Sequence, residues 1–324
     1  MVLGISVLDL FKLGTAAAGV LPRPGANIVS QGLARAVAPM LSERRLLIGR
    51  NLDRATGHRL TPVRREALTN AAIRSYGRYW EDLLRLPTVS TRELAANFDS
   101  QGLHHLDEAV ASGTGPILAM PHVGRWEWAA AWLTRVHGVE VTAVVEAIEP
   151  PELFDWFRNK REALGIHVVP LGPDAVGSIS RAIKAGHVVC LLSDRDISGG
   201  GPEVEFFGER TRLPAGPVTL ALRTGALLLP TAVYETPGNR VLGVVRPPMD
   251  LEREGRLRAD VARLTQVLAY ELEHHISEEL EELIAAQPQQ WHLQSPNWPS
   301  DVAALRAAGY SPESLPGSAP GHSN

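Results

Sequence analysis

One short stretch of this sequence combines the residue types that proton-transfer chemistry needs: Pro121-His-Val-Gly-Arg-Trp-Glu127. An imidazole takes and returns a proton near neutral pH, and a carboxylate beside it fixes the tautomer and stabilises the imidazolium. The interval is awkward for a single helix, because five positions turn about 500° and leave His122 and Glu127 on different faces. They meet only if His122 lies in a turn and Glu127 projects back from the first turn of a following helix. Pro121 cannot extend a sheet ladder and Gly124 permits a tight turn, so a strand ending at Met120 would deliver His122 to such a place. In open α/β sheets ligands bind beyond the carboxyl ends of strands. Read locally, Glu127 also suits a helix N-terminus with no part in chemistry.

The elements around this stretch follow from hydrophobic period. Short apolar runs at Pro116–Met120, Val139–Val145, Ile166–Pro170, Val188–Leu192, Leu227–Tyr234 and Val241–Val245 predict strands. Helical patterns lie between them at Arg125–His137, Pro151–Leu164, Ala175–Ala185 and Pro217–Thr224. Strands alternating with helices predict an α/β fold with a mixed, largely parallel central sheet. Residues 1–90 read as an N-terminal helical segment, 91–305 as the α/β domain and 306–324 as a Pro/Gly/Ser-rich, disordered tail. A charged helix with an apolar stripe is expected over Arg256–Ala286.

Composition excludes some classes. The 324 residues are 44% hydrophobic with a formal charge of −4, which gives no general attraction to nucleic acid. The one cysteine, Cys190, lies in a strand run and excludes an internal disulfide. No apolar stretch reaches the roughly 18 residues of a spanning helix. Met1–Leu21 is interrupted by Asp9 and Lys12 and makes a poor signal peptide, although Leu3, Val7, Leu10 and Phe11 share a helical face. Between Arg23 and Arg85 arginines outnumber acids, so the helical segment is either a solvated face or one drawn to anionic lipid headgroups.

Further along, Leu192-Ser-Asp-Arg-Asp196 follows a strand, and Ser198-Gly-Gly-Gly-Pro202 reads as a mobile loop. Next come Val204–Gly216 with its Phe-Phe-Gly, Leu222-Arg-Thr-Gly-Ala226, Gln289-Gln-Trp-His292 and Trp298-Pro-Ser-Asp301. In this order, with Pro121–Glu127 first, the blocks resemble the bacterial lipid A acyltransferase family of the glycerolipid acyltransferase superfamily. The closest likeness is to the actinobacterial phosphatidylinositol mannoside acyltransferases, over about residues 45–301. The resemblance implies a domain docked peripherally on the cytoplasmic face of the inner membrane. It implies acyl-coenzyme A, palmitoyl in chain length, or acyl-carrier protein as donor. His122 would then be the base and Glu127 its orienting acid.

The groups present agree with direct transfer. A sugar hydroxyl needs a base to remove its proton as it attacks a thioester carbonyl. No Gly-x-Ser-x-Gly elbow supplies a nucleophile, and Cys190 sits inside a strand. Arg158 and Arg161 match phosphate geometry, with a solvated helical face as the alternative; Arg195 and Arg212 are similar substrate-binding candidates. Glu203 resembles a family acid near the acceptor, or is an ordinary edge-strand charge. Trp126, Trp128 and Trp132 either edge an acyl tunnel or are core. Glu271-Leu-Glu-His274 has Glu-x-x-His spacing but no second copy, so no metal and no cofactor are expected. The competing functions are acylation of another glycolipid or a lysophospholipid, and a catalytically silent lipid-binding protein on the same fold.

Overall fold

Runs such as Ile117-Leu-Ala-Met120 and Val188-Val-Cys-Leu-Leu192 are apolar on both faces, which suits a strand covered by helices on both sides. The computed structural model, which describes residues 42–251 and 276–312, contains such a sheet. Its strands are β1 (Phe98–Gln101), β2 (Ile117–Met120), β3 (Val141–Val145), β4 (Ile166–Pro170), β5 (Val188–Leu192), β8 (Leu228–Thr236) and β9 (Arg240–Val245). A separate antiparallel hairpin pairs β6 (Glu203–Phe206) with β7 (Glu209–Arg212). The seven strands run in the order β1-β9-β8-β2-β5-β3-β4, and each neighbouring pair is parallel except β8 with β9. The expected α/β class with a largely parallel sheet is what the chain adopts.

Side-chain alternation divides the core between the two faces of this sheet. Ile117, Ala119, Val189 and Leu191 pack beneath α7 (Ala175–Lys184), α8 (Gly216–Thr224) and α9 (Ser277–Ala286). Leu118, Met120, Val188 and Cys190 pack beneath α4 (Leu103–Ala111) and α5 (Trp126–Trp132). Burying each such aliphatic side chain stabilises by about 1.5–3 kcal/mol. Two elements escaped the hydrophobic reading for physical reasons. β1 is an exposed polar edge strand, Phe-Asp-Ser-Gln, with no alternation to detect. The β6–β7 hairpin turns on Phe207 and Gly208, both at positive φ, where a non-glycine residue is unusual.

Before the sheet come α1 (Ser42–Ala55) and α2 (Pro62–Arg85), the latter capped by Thr61, whose hydroxyl accepts the Arg64 N–H. Five arginines of this segment are engaged by acids, while Arg59 and Arg64 are exposed. Arg45 pairs with Glu66, Arg65 with Asp53 and Arg78 with Glu235, while Arg50 and Arg54 both reach Asp301. Two of these acids, Glu235 and Asp301, lie far along the chain, so a local charge count misses them. The expectations for Leu3–Phe11, Arg35, most of the Arg256–Ala286 helix with Glu271 and His274, and the tail from 313 onward lie outside the described residues.

The closing segment clasps these parts together. Trp298 stacks on Phe206 at 5.8 Å between ring centroids and donates its indole N–H to the Phe206 carbonyl. Arg54 lies 3.9 Å above the Trp298 ring. Asp301, at the start of α10 (Pro299–Ala307), accepts from the Asn297 and Trp298 N–H groups and from Arg50. Both Asp301 and Arg54 are buried. Removing one partner of such a pair leaves an uncompensated charge. Asp301→Ala is therefore expected to destabilise the fold by about 3–5 kcal/mol, read as a lower urea midpoint at unchanged slope.

Candidate active site

The site begins with strand register. β2 and β5 pair with Met120 opposite Leu192, and the Ser193 N–H continues the ladder to the Met120 carbonyl at 2.7 Å. Two residues past these strand ends, His122 stands opposite Asp194. Nδ1 of His122 lies 2.5 Å from one carboxylate oxygen of Asp194. The other oxygen accepts the His122 backbone N–H at 3.1 Å and the Trp291 indole N–H at 2.7 Å. The Asn297 side-chain amide donates to the Asp194 carbonyl at 3.1 Å.

Asp194 is fully buried. Burial alone would raise its carboxyl, but the His122 charge and the hydrogen bonds from His122 and Trp291 outweigh this and hold it below the usual carboxylate range. An ionised carboxylate only accepts, so Nδ1 carries the proton and Nε2 is left with its lone pair. His122 lines a cavity of about 660 Å³, within the usual size of a ligand pocket. Its walls are mostly apolar, including Trp80, Leu83, Phe157, Ile179, Leu191 and Leu220, with Arg44, Arg161 and Arg195 among the few cations.

The turn that presents His122 is held on its other side. Gly124 has φ +63°, and a Cβ there would come within 1.9 Å of the Val233 carbonyl oxygen, so only glycine fits. The Gly124 N–H donates to the Gln290 carbonyl, and the His292 N–H to the His122 carbonyl. The Gln289–His292 block is thereby a short strand-like brace against the turn that carries His122. Arg125 pairs with Asp82 of α2, bonds the Asn239 side chain and lies over the Trp128 ring.

Glu127 departs from the expected geometry. It follows Trp126 at the start of α5 and is buried, but its carboxylate accepts the Tyr79 hydroxyl at 2.9 Å and Arg161 at 3.0 Å. The acid on His122 is Asp194. A helix beginning at Trp126 places the Glu127 carboxylate on Tyr79 of α2 and Arg161 of α6 (Pro151–Glu162). Burial raises the Glu127 carboxyl, and the Arg161 charge and the two hydrogen bonds offset only part of this. Burial and then the Glu127 charge raise the Tyr79 phenol well above its ordinary value, so it remains a donor.

The arginine candidates divide in the same way. Arg161 and Arg195 line the cavity, and the Nε of each is buried without a hydrogen-bond partner among the described residues. Arg195 also donates to Ser295. Arg158 is on the outer side of α6, paired with Asp155 and Glu162 of its own helix. Arg212 and Glu203 pair with each other across the hairpin, and neither lines the cavity. Trp126 lines the cavity, whereas Trp128 is core and Trp132 stacks on Phe98. The glycine loop after β5 is held by Asp196, whose carboxylate accepts from Ser198 and from the Gly201 N–H at 2.6 Å. Asp194 itself was open to sequence reasoning: it follows its strand as His122 follows its own.

A model of the family described as bacterial lipid A biosynthesis acyltransferase matches residues 10–299. The phosphatidylinositol mannoside acyltransferase of Mycobacterium tuberculosis (strain ATCC 25618 / H37Rv) is 41% identical over 251 residues, 75% of this chain and 74% of that protein. The phosphatidylinositol mannoside acyltransferase of Mycolicibacterium smegmatis (strain ATCC 700084 / mc(2)155) is 34% identical over 267 residues, 80% of this chain and 81% of that protein.

His292 lies against Tyr76 and Tyr79 and shares a 3.0 Å hydrogen bond with Ser75. Burial, then the charges of His122 and Arg78, push its imidazole down from 6.5 to about 3. Between those values the unfolded chain binds a proton at His292 that the folded chain does not, so stability falls as pH drops through that window. His292→Gln is expected to flatten the dependence of the urea midpoint on pH between about 6.5 and the acid limit of folding.

Proposed function

The chain belongs to the bacterial lipid A biosynthesis acyltransferase family, and on that premise we propose that it moves a long-chain acyl group, palmitoyl by resemblance, from acyl-coenzyme A to a sugar hydroxyl of a phosphatidylinositol mannoside. The names of its relatives support the acceptor class. The observation that carries the chemistry is the His122 imidazole in the cavity wall, its Nδ1 held by a buried, ionised Asp194.

In this reading Nε2 takes the hydroxyl proton as the oxygen attacks the thioester carbonyl. The C–S bond then breaks, the ester leaves with the acyl carbon, and the proton passes from the imidazolium to the departing thiolate. Asp194 remains ionised and stabilises the imidazolium, as in hydrolase triads. Glu127 is a positioning residue that holds Tyr79 and Arg161 in the cavity wall. Arg161 and Arg195 place guanidinium charge in the cavity wall, which suits phosphate groups of donor or acceptor. A covalent acyl-enzyme on Cys190 is disfavoured, since burial pushes its thiol up to about 12 and it lies outside this cavity.

Peripheral attachment to the cytoplasmic leaflet belongs to the same proposal. No helix among the described residues is long and apolar enough to cross a membrane. Around the cavity mouth, however, Ile148, Leu171 and Val176 are exposed, at 36%, 44% and 48%. Burying large apolar side chains in a bilayer surface would offset their exposure and bring the cavity to lipid substrates. Replacing all three by serine is expected to weaken cosedimentation with anionic vesicles about tenfold or more. Unchanged binding would remove this surface from the proposal.

The chemical reading is tested with purified variants, palmitoyl-coenzyme A and a panel of glycolipid and lysophospholipid acceptors read by mass spectrometry. His122→Ala is expected to lose about 10²–10⁴-fold in kcat. Asp194→Asn should fall comparably, because the amide favours the wrong tautomer. Glu127→Gln should cost less in kcat and more in KM. Equal kcat losses for Glu127→Gln and Asp194→Asn would overturn the assignment of the positioning acid. Transfer to the other acceptors alone would overturn the mannoside.

A further inference from the structure

The opposite edge of the sheet carries a second cluster of chemically competent side chains. His122 and Asp194 follow the carboxyl ends of strands; Glu140, His167 and His187 stand at the amino ends of β3, β4 and β5. Register brings these three together. Thr142 of β3 is opposite both His167 of β4 and Val189 of β5. Side chains repeat with period two, so Glu140, two before Thr142, and His187, two before Val189, emerge on the same face as His167. The Val188 N–H donates to the Glu140 carbonyl at 2.8 Å, which keeps Glu140 beside His187.

The side chains already converge. His167 Nε2 lies 2.8 Å from a Glu140 carboxylate oxygen, and the rings of His167 and His187 are 5.0 Å apart. One donor atom from each residue lies within 4.8 Å of the others. We propose that Glu140, His167 and His187 form a surface site for a divalent transition metal ion of the zinc class.

Two imidazoles and one carboxylate are a donor set that such ions favour over magnesium or calcium, which prefer oxygen. Three protein ligands also leave one coordination position for water or another group, as in open zinc sites. Donor atoms around a tetrahedral zinc at about 2.0–2.2 Å are about 3.3 Å apart. The remaining closure is available from the two outer ligands, since the side chains of His167 and Glu140 are 56% and 66% exposed. The third ligand is held in place: buried Thr142 shares a 2.9 Å hydrogen bond with His187 Nδ1, leaving Nε2 for the metal. That is the outer partner metal-bound histidines regularly have, fixing tautomer and ring orientation. Glu140 and His167 also line a surface depression of about 660 Å³, which gives an ion a solvent route to them. The sequence reading expected no metal because the ligands come from three strands and share no helical spacing.

The test uses the full-length, untagged protein, stripped with chelator and dialysed. Zinc is titrated against a chromophoric competitor, and bound cobalt is followed by its visible absorption. One ion per chain is expected, with the intense bands of four-coordinate cobalt. His167→Ala, which alters an exposed side chain and should fold normally, should weaken binding at least about tenfold, and Thr142→Val about tenfold through the outer shell. His187→Ala should abolish the cobalt bands. The chain has 11 histidines, so zinc binding that is unaffected by His167→Ala would assign the metal elsewhere and overturn the proposal. Absence of a stoichiometric ion in the wild type would overturn it directly.

Discussion

A buried carboxylate is the constraint on which this structure depends. Asp194 sits at the end of a central strand with no access to water, and an ionised group there is tolerated only when its oxygens are fully supplied with donors. The donors come from two distant parts of the chain. The turn after β2 supplies a backbone N–H and an imidazole, and the segment after α9 supplies the Trp291 indole. The imidazole is therefore oriented by the same contacts that make the buried charge acceptable. The burial of one charge and the orientation of one imidazole coincide at Asp194.

Meeting Asp194 in this way obliges the closing segment to dock accurately. Trp291 can reach it only if Gln290 and His292 lie along the His122 turn, and Asn297 only if Trp298 and Asp301 are seated against Phe206 and Arg54. The blocks that look unrelated in sequence are thus one continuous clasp. A second buried carboxylate, Glu127, governs a different wall. With Arg161 and Tyr79 it joins α5, α6 and α2 around the cavity. The two acids have separate partners, set by where their helix and strand place them.

Much of the fold was legible because central parallel strands are nearly pure runs of apolar residues, and the helices between them are amphipathic. His122 was legible for a related reason: proline and glycine around it mark a strand end and a turn. Its partner carried a weaker signal of the same kind, a position just past a strand end. The local motif suggested Glu127 because sequence proximity was the only distance available, whereas Asp194 is brought across by pairing between strands 72 positions apart. The same limit explains the basic look of α1 and α2, whose arginines find acids as remote as Asp301. It also hides Glu140, His167 and His187, which share a sheet face but no spacing. Arg158 and Arg161 read alike in the sequence, but the helix turns Arg161 toward the cavity and Arg158 outward.

The separation between the parts of the His122–Asp194 pair bears on how the protein is made. Parallel pairing of β2 with β5 closes a long loop, and the Trp291 contact spans 97 positions. Such non-local contacts form late, since the entropy of closing the chain must be met before they contribute. A nascent chain therefore lacks the His122–Asp194–Trp291 arrangement and the cavity wall beside it until the segment around Trp291 has emerged and folded back. The arrangement around His122 is thus a property of the folded domain and of no shorter stretch of it.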